Sequence, residues 1–84
     1  MLPMAQPSPT HSKAKELVSL GKVVRELRLA KGWSQEAFAD FAGIDRSYIG
    51  GIERGEHNLA LINLIKIAAT LEIKAAQLLE KARL

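Results

Sequence analysis

From Leu17 onward the apolar residues recur at intervals of three and four, and nowhere do they alternate with period two. Leu17, Leu20, Val24 and Leu27 make one stripe of a first helix over about 12–31, which Gly32 ends. Ser34 is placed to cap a short second helix, "QEAFADFA". Its Glu36 lies in the first turn, where the helix dipole favours negative charge. Phe38 and Ala42 point inward from it. Gly43 interrupts this helix, and Asp45 caps a third that carries Ile49 and Ile52 on one face and stops at Gly55. "GEHN" reads as a loop. A fourth helix over about 61–71 sets Leu61, Leu64, Ile65, Ala68 and Leu71 on one face, with Leu59 and Ala60 before it and no capping side chain. A fifth over about 74–83 carries Leu78 and Leu79, and Lys74 is a poor cap for it. The pattern predicts an all-α domain of five helices over 12–84. Pro3, Pro7 and Pro9 confine all proline to the start, so 1–11 is expected to be a disordered tail.

The third helix contains a contradiction. Gly50 and Gly51 lie in its interior, where each costs about 1 kcal/mol relative to alanine. At 100° per residue Ile49 and Ile52 define the inner face, with Glu53 beside them. Ser47, Gly50, Gly51 and Arg54 fall opposite, flanked by Arg46 and Tyr48. On this wheel the glycines leave bare backbone on the outside, suited to close approach to a large partner.

Composition narrows the chemistry. The chain has 84 residues, enough for one small domain. It has no cysteine, which excludes disulfides and thiolate metal sites, and its two histidines, His11 and His57, are far apart; no metal and no cofactor is expected. The net charge of +3 permits an anionic partner without demonstrating one. "MLPMAQPSPT" lacks the parts of a signal peptide, and no apolar run approaches about 18 residues, so a cytoplasmic protein with no membrane partner is expected. Catalysis finds no support. Asp45, Ser47 and His57 crowd onto one helix and its exit loop, with no evident oxyanion donors. Gly50 to Gly55 has the spacing of a phosphate loop, but Glu56 and His57 follow where Lys and Ser or Thr belong.

Two short helices joined by a glycine turn make a helix-turn-helix, here over about 34–54. "WSQEAFADFAGIDRSYIGGIERGEHN" resembles the lambda-repressor-like family of Cro/Xre-type helix-turn-helix proteins. The likeness rests on Gln35, Ala39, Gly43, Ile49, Ile52 and Glu53–Arg54–Gly55, and it extends through "LINLIKIAATLEI". "GIDRSYIGGIERGEHN" is similar to controller proteins of restriction–modification systems. The resemblance implies that the third helix enters the major groove of double-stranded DNA. Arg46 would pair with guanine O6 and N7, with Ser47 at a neighbouring base edge and Tyr48 at a base edge or a phosphate. Gln35, His57 and Asn58 would hold the DNA backbone, although relatives often carry Arg near His57. Gly50 and Gly51 would permit close approach to the groove. Arg28 would pair with Glu53 as a structural ion pair that touches no DNA. Trp33 is expected to fill core beside the second helix.

The resemblance also implies a homodimer, with two recognition helices in successive major grooves of a pseudo-palindromic operator. Ile62, Ala69 and Ile73 lie on one stripe off the expected core face, and the fifth helix adds Ala76 and Leu79. Exposed apolar area of this kind marks an interface, here within helices four and five, about 60–83. The expected function is a sequence-specific transcriptional regulator, of the restriction–modification controller kind. The alternatives are an antitoxin-type regulator or a protein-interaction module that offers the same helices to a partner such as a toxin or RNA polymerase.

Overall fold

The computed structural model describes residues 10–84, and among them the regular elements are five helices. These are α1 (Lys15–Ala30), α2 (Gln35–Ala42), α3 (Arg46–Glu53), α4 (Leu61–Thr70) and α5 (Ala75–Lys81). Of the expected tail, 1–9 lie outside the described residues. Thr10 and His11 lead into a turn in which the Ala14 amide donates to the His11 carbonyl at 2.9 Å. Lys13 takes a left-handed φ of 68°, so α1 begins after this turn and not at Ser12.

The helices stop by a shared device. Gly43 closes α2 at φ 67°, which a side chain resists, and the next amide, of Ile44, returns to the Ala39 carbonyl at 3.0 Å. The same return bond runs from Trp33 to Arg28, from Glu56 to Gly51, from Ile73 to Ala68 and from Leu84 to Leu79. Caps at the other ends are uneven. The Ser34 hydroxyl accepts from the Ala37 amide at 3.0 Å, and the Asp45 carboxylate accepts from the Ser47 amide at 3.0 Å. Ala60 offers α4 no side-chain bond. Lys74 has no acceptor to give α5, but Gln77 reaches back, its Oε1 accepting from the Lys74 amide at 2.9 Å.

Packing joins the helices in a ring: α1 meets α3, α3 meets α2, α2 meets α4, α4 meets α5 and α5 returns to α1. Each helix sends one large side chain to the centre. Val24, Phe38, Ile49, Ile67 and Leu78 are the largest fully buried side chains. Trp33 is half-buried beside Phe38, ring centroids 6.0 Å apart, and meets the exposed Phe41 edge-on at 5.0 Å. No helix among the described residues is long and apolar enough to cross a membrane.

One face of α4 departs from expectation. Its buried residues are Leu64, Ile67 and Ala68, continued by Leu71, whereas Leu61 and Ile65 are exposed. "LINLIKIAAT" is apolar on most of its circumference, so several stripes compete and periodicity alone does not choose. Packing against α2 and α5 selects the stripe through Ile67.

α1 crosses α3 almost backbone to backbone. A Cβ added at Gly21 would stand 2.3 Å from the Ile52 carbonyl oxygen and 2.7 Å from that of Glu53. Gly55 is as tight, with Val18 2.8 Å from any Cβ. Gly21→Ala gains about 1 kcal/mol in helix propensity. It then meets carbonyls that cannot swing aside, an overpacking cost of roughly 1–3 kcal/mol. A net loss of stability is expected in urea denaturation; a raised midpoint would show that the crossing can widen freely.

Candidate nucleic-acid interface

Eight residues are too few for α3 to stand alone in water. Its inner end is held by charge. Arg28 of α1 donates from Nε to Glu53 Oε2 at 2.7 Å and from Nη2 to Oε1 at 3.0 Å. Nη1 donates to the Trp33 carbonyl at 2.8 Å, and Gln35 Nε2 donates to Glu53 Oε1 at 3.0 Å. The two charged side chains are 8% and 2% exposed. Among the described residues no buried side-chain nitrogen or oxygen lacks a partner. A forked guanidinium on a carboxylate, its remaining valences satisfied, is the geometry that offsets the desolvation of two charges.

The outer end of α3 is open. Asp45 holds the first turn through the Ser47 amide and also accepts from the Ser47 hydroxyl. That hydroxyl bond, with the amide bonds and the Arg46 charge, keeps the Asp45 carboxyl below the usual carboxylate range. Arg46 is exposed at the first helical position. Ser47 and Tyr48 are partly buried beside it. α2, the other helix of the pair, begins after Ser34, whose hydroxyl accepts from the Ala37 amide and leaves the amides of Gln35 and Glu36 ahead of it in the first turn.

The two glycines are not where the helical wheel put them. Both are buried. A Cβ on Gly50 would meet Arg54 Nη1 at 3.1 Å and Gln35 Oε1 at 3.5 Å, so this glycine faces α2. A Cβ on Gly51 would stand 2.3 Å from Nε2 of His57 and 2.5 Å from its Cδ2. Gly51 is therefore the seat of an imidazole and not an open strip facing a groove. The wheel failed because a glycine has no side chain to signal inside or outside, and because the loop after α3 folds back over it.

His57 needs the same correction. It is 6% exposed, too covered for the backbone anchor that the sequence suggested, and it stacks on Tyr48 with centroids 4.4 Å apart and planes 8° from parallel. The loop carrying it is pinned from outside. Arg54 donates to both oxygens of Glu56 at 2.9 and 3.1 Å, and Lys13 Nζ donates to the Arg54 carbonyl at 2.7 Å. The hydrogen bonds from Arg54 hold the Glu56 carboxyl below its ordinary range, with Lys13 and His57 adding to the effect. Asn58 remains exposed. Gln35 is partly buried, and its amide is taken by Glu53. That role escaped sequence reasoning, because a Gln opening a helix gives no sign that it reaches a carboxylate one helix away.

Away from α3, exposed apolar residues gather on α4. Ile62 and Ala69 are exposed, and Leu61 and Ile65 join them, at 67% and 46% exposure. These four lie within about 100° of arc on one helix. Ala76 of α5 is exposed as well, whereas Ile73 and Leu79 are half-buried and pack against the chain's own core.

A helix-turn-helix family model matches residues 24–78, from the middle of α1 to the middle of α5. The chain belongs to the Cro/Xre-type helix-turn-helix family. Within that family it is similar to controller proteins. The restriction–modification controller protein C.AhdI from Aeromonas hydrophila is 51% identical in a structural match covering 75% of this chain and 96% of that one, with a TM-score of 0.72. Control protein C.MunI from a Mycoplasma species is 40% identical over 62 residues, 73% of this chain and 84% of that protein. A hypothetical transcription factor from Neisseria meningitidis is 48% identical over 56 residues, 67% of this chain; the chain spans about half (53%) of that factor's length.

The two glycines of this helix-turn-helix protein should respond oppositely to alanine. At Gly50 the obstacle is the tip of a flexible, half-exposed Arg54, so Gly50→Ala should hold stability or raise it by up to about 1 kcal/mol. At Gly51 the obstacle is a buried ring, so Gly51→Ala should lose roughly 1–3 kcal/mol. Thermal melting of the two variants side by side checks this, and equal shifts would refute the seat described for His57.

Proposed function

We propose that this DNA-binding regulator occupies a two-fold-symmetric operator as a homodimer and controls transcription as restriction–modification controller proteins do. The observation that carries the reading is the polarity of α3. Its inner end is locked by the buried Arg28–Glu53 pair, and its outer end presents an exposed Arg46. Arg46 pairs with O6 and N7 of guanine in the major groove. The Ser47 hydroxyl donates a hydrogen bond to Asp45, which leaves its oxygen to accept from a base amino group. Tyr48 contacts the neighbouring base edge. Phosphate is held by the open amides at the start of α2 and by Asn58. Gln35 contributes its backbone there, its side chain being engaged with Glu53.

The second copy docks on the apolar face of α4, through Leu61, Ile62, Ile65 and Ala69, with Ala76 of α5 at its margin. The names of C.MunI and C.AhdI support a controller role and give no support to catalysis. The setting is the cytoplasm, where such DNA lies.

Selection of bound duplexes from a random library tests the reading. Wild type should enrich half-sites related by a two-fold axis and about 34 Å apart. Arg46→Ala should lose a guanine preference, at a cost of about 1–3 kcal/mol in discrimination. No enrichment at low salt would remove the operator reading altogether. Ile62→Glu should give a folded monomer by sedimentation, with affinity for the full site reduced far more than for a half-site. A dimer that survives it would move the interface off α4.

A further inference from the structure

We infer that His57 is a positioning residue for Tyr48: its imidazole, seated on the bare backbone of Gly51, is the platform that fixes the phenol in the orientation presented to DNA. For what the phenol meets, the inference rests on the DNA-binding reading above; for the platform itself it rests on the fold alone. Tyr48 and Gly51 are three residues apart on α3 and so share a side of the helix. His57 comes back over that side from the loop. The near-parallel planes, 8° apart at 4.4 Å between centroids, put ring face against ring face. The Gly51 seat leaves the imidazole no room to sink further.

The loop that delivers the ring is fixed independently of it. The Glu56 amide donates to the Gly51 carbonyl at 2.9 Å, Arg54 clamps the Glu56 carboxylate, and the Lys13 amide donates to the Gly55 carbonyl at 2.7 Å. A buried ring on a pinned loop is a rigid support. The half-buried Tyr48 ring above it loses rotamer freedom before any partner arrives, and that entropy is then not lost on binding. His57 thereby acts on DNA through Tyr48 and without touching a phosphate. An aromatic stack of this kind biases the held conformer by roughly 2- to 10-fold.

The chain has a single tyrosine, so its ring resonances are unique. The experiment compares wild type, His57→Ala, His57→Phe and Tyr48→Ala by NMR without DNA and by library selection with it. In wild type, through-space contacts between the His57 and Tyr48 rings and displaced tyrosine ring shifts are expected. His57→Ala should return those shifts toward random-coil values, and His57→Phe should keep them displaced. On DNA, His57→Ala should weaken the same base preference as Tyr48→Ala, by roughly 2- to 10-fold. The double variant should lose no more than Tyr48→Ala alone, and the salt slope of binding should not change. A uniform loss across sequences with a salt slope smaller by about one would mark His57 as a phosphate contact and overturn the inference. So would tyrosine shifts indifferent to His57→Ala. Should His57→Ala not fold, the wild-type ring contacts decide, their absence being fatal. If wild type selects no DNA, the operator reading fails, and the platform is judged by the ring signals alone.

Discussion

Two opposite charges withdrawn from water set the condition that the rest of the molecule meets. Arg28 and Glu53 lie under the packed helices, and each would be costly alone: removing one partner from such a pair costs about 3–5 kcal/mol. Their fork geometry needs α1 and α3 at a fixed distance, and the missing side chain at Gly21 allows it by letting α1 rest on the carbonyls of Ile52 and Glu53. Gln35 and the Trp33 carbonyl occupy the remaining positions around the pair, so the turn before α2 and its first residue are drawn in as well. The orientation of an eight-residue helix is thus fixed from one end.

Much of this was legible in the residues. Helix stops at Gly32, Gly43 and Gly55 and caps at Ser34 and Asp45 are local chemistry, decided within a few residues, and the structure uses them so. What escaped the sequence was decided elsewhere in the chain. Nothing near Gly51 announces that His57 will return to cover it. Nothing near Gln35 announces Glu53. The wheel of α4 misled because an almost wholly apolar helix offers several core faces, and only its neighbours choose among them. Gly21 drew no notice, since a glycine inside a strongly periodic helix looks like a small defect until the crossing helix is in place.

The choice made on α4 has a physical corollary. Burying Ile67 turns Leu61, Ile62, Ile65 and Ala69 outward together, and a chain of this size has little further core of its own to offer them. In the proposed dimer the second copy completes that core. Folding and pairing then share one surface, on the helix that begins without a cap.

The division of α3 into a held end and an open end bears on descent. Asp45 caps through the backbone amide of residue 47, a bond that does not depend on which side chain stands there. Arg46 leans on nothing in the core. Lineages of such a protein can exchange these two residues singly, and drift toward new binding sites at little risk to the fold. Tyr48, Gly51 and His57 have no such liberty. A bulkier residue at 51 displaces the ring at 57, and a residue without a ring at 57 leaves the phenol at 48 without that support. Those three positions are expected to change together or not at all, so the same short helix carries one part that evolves freely and one part that moves only as a block.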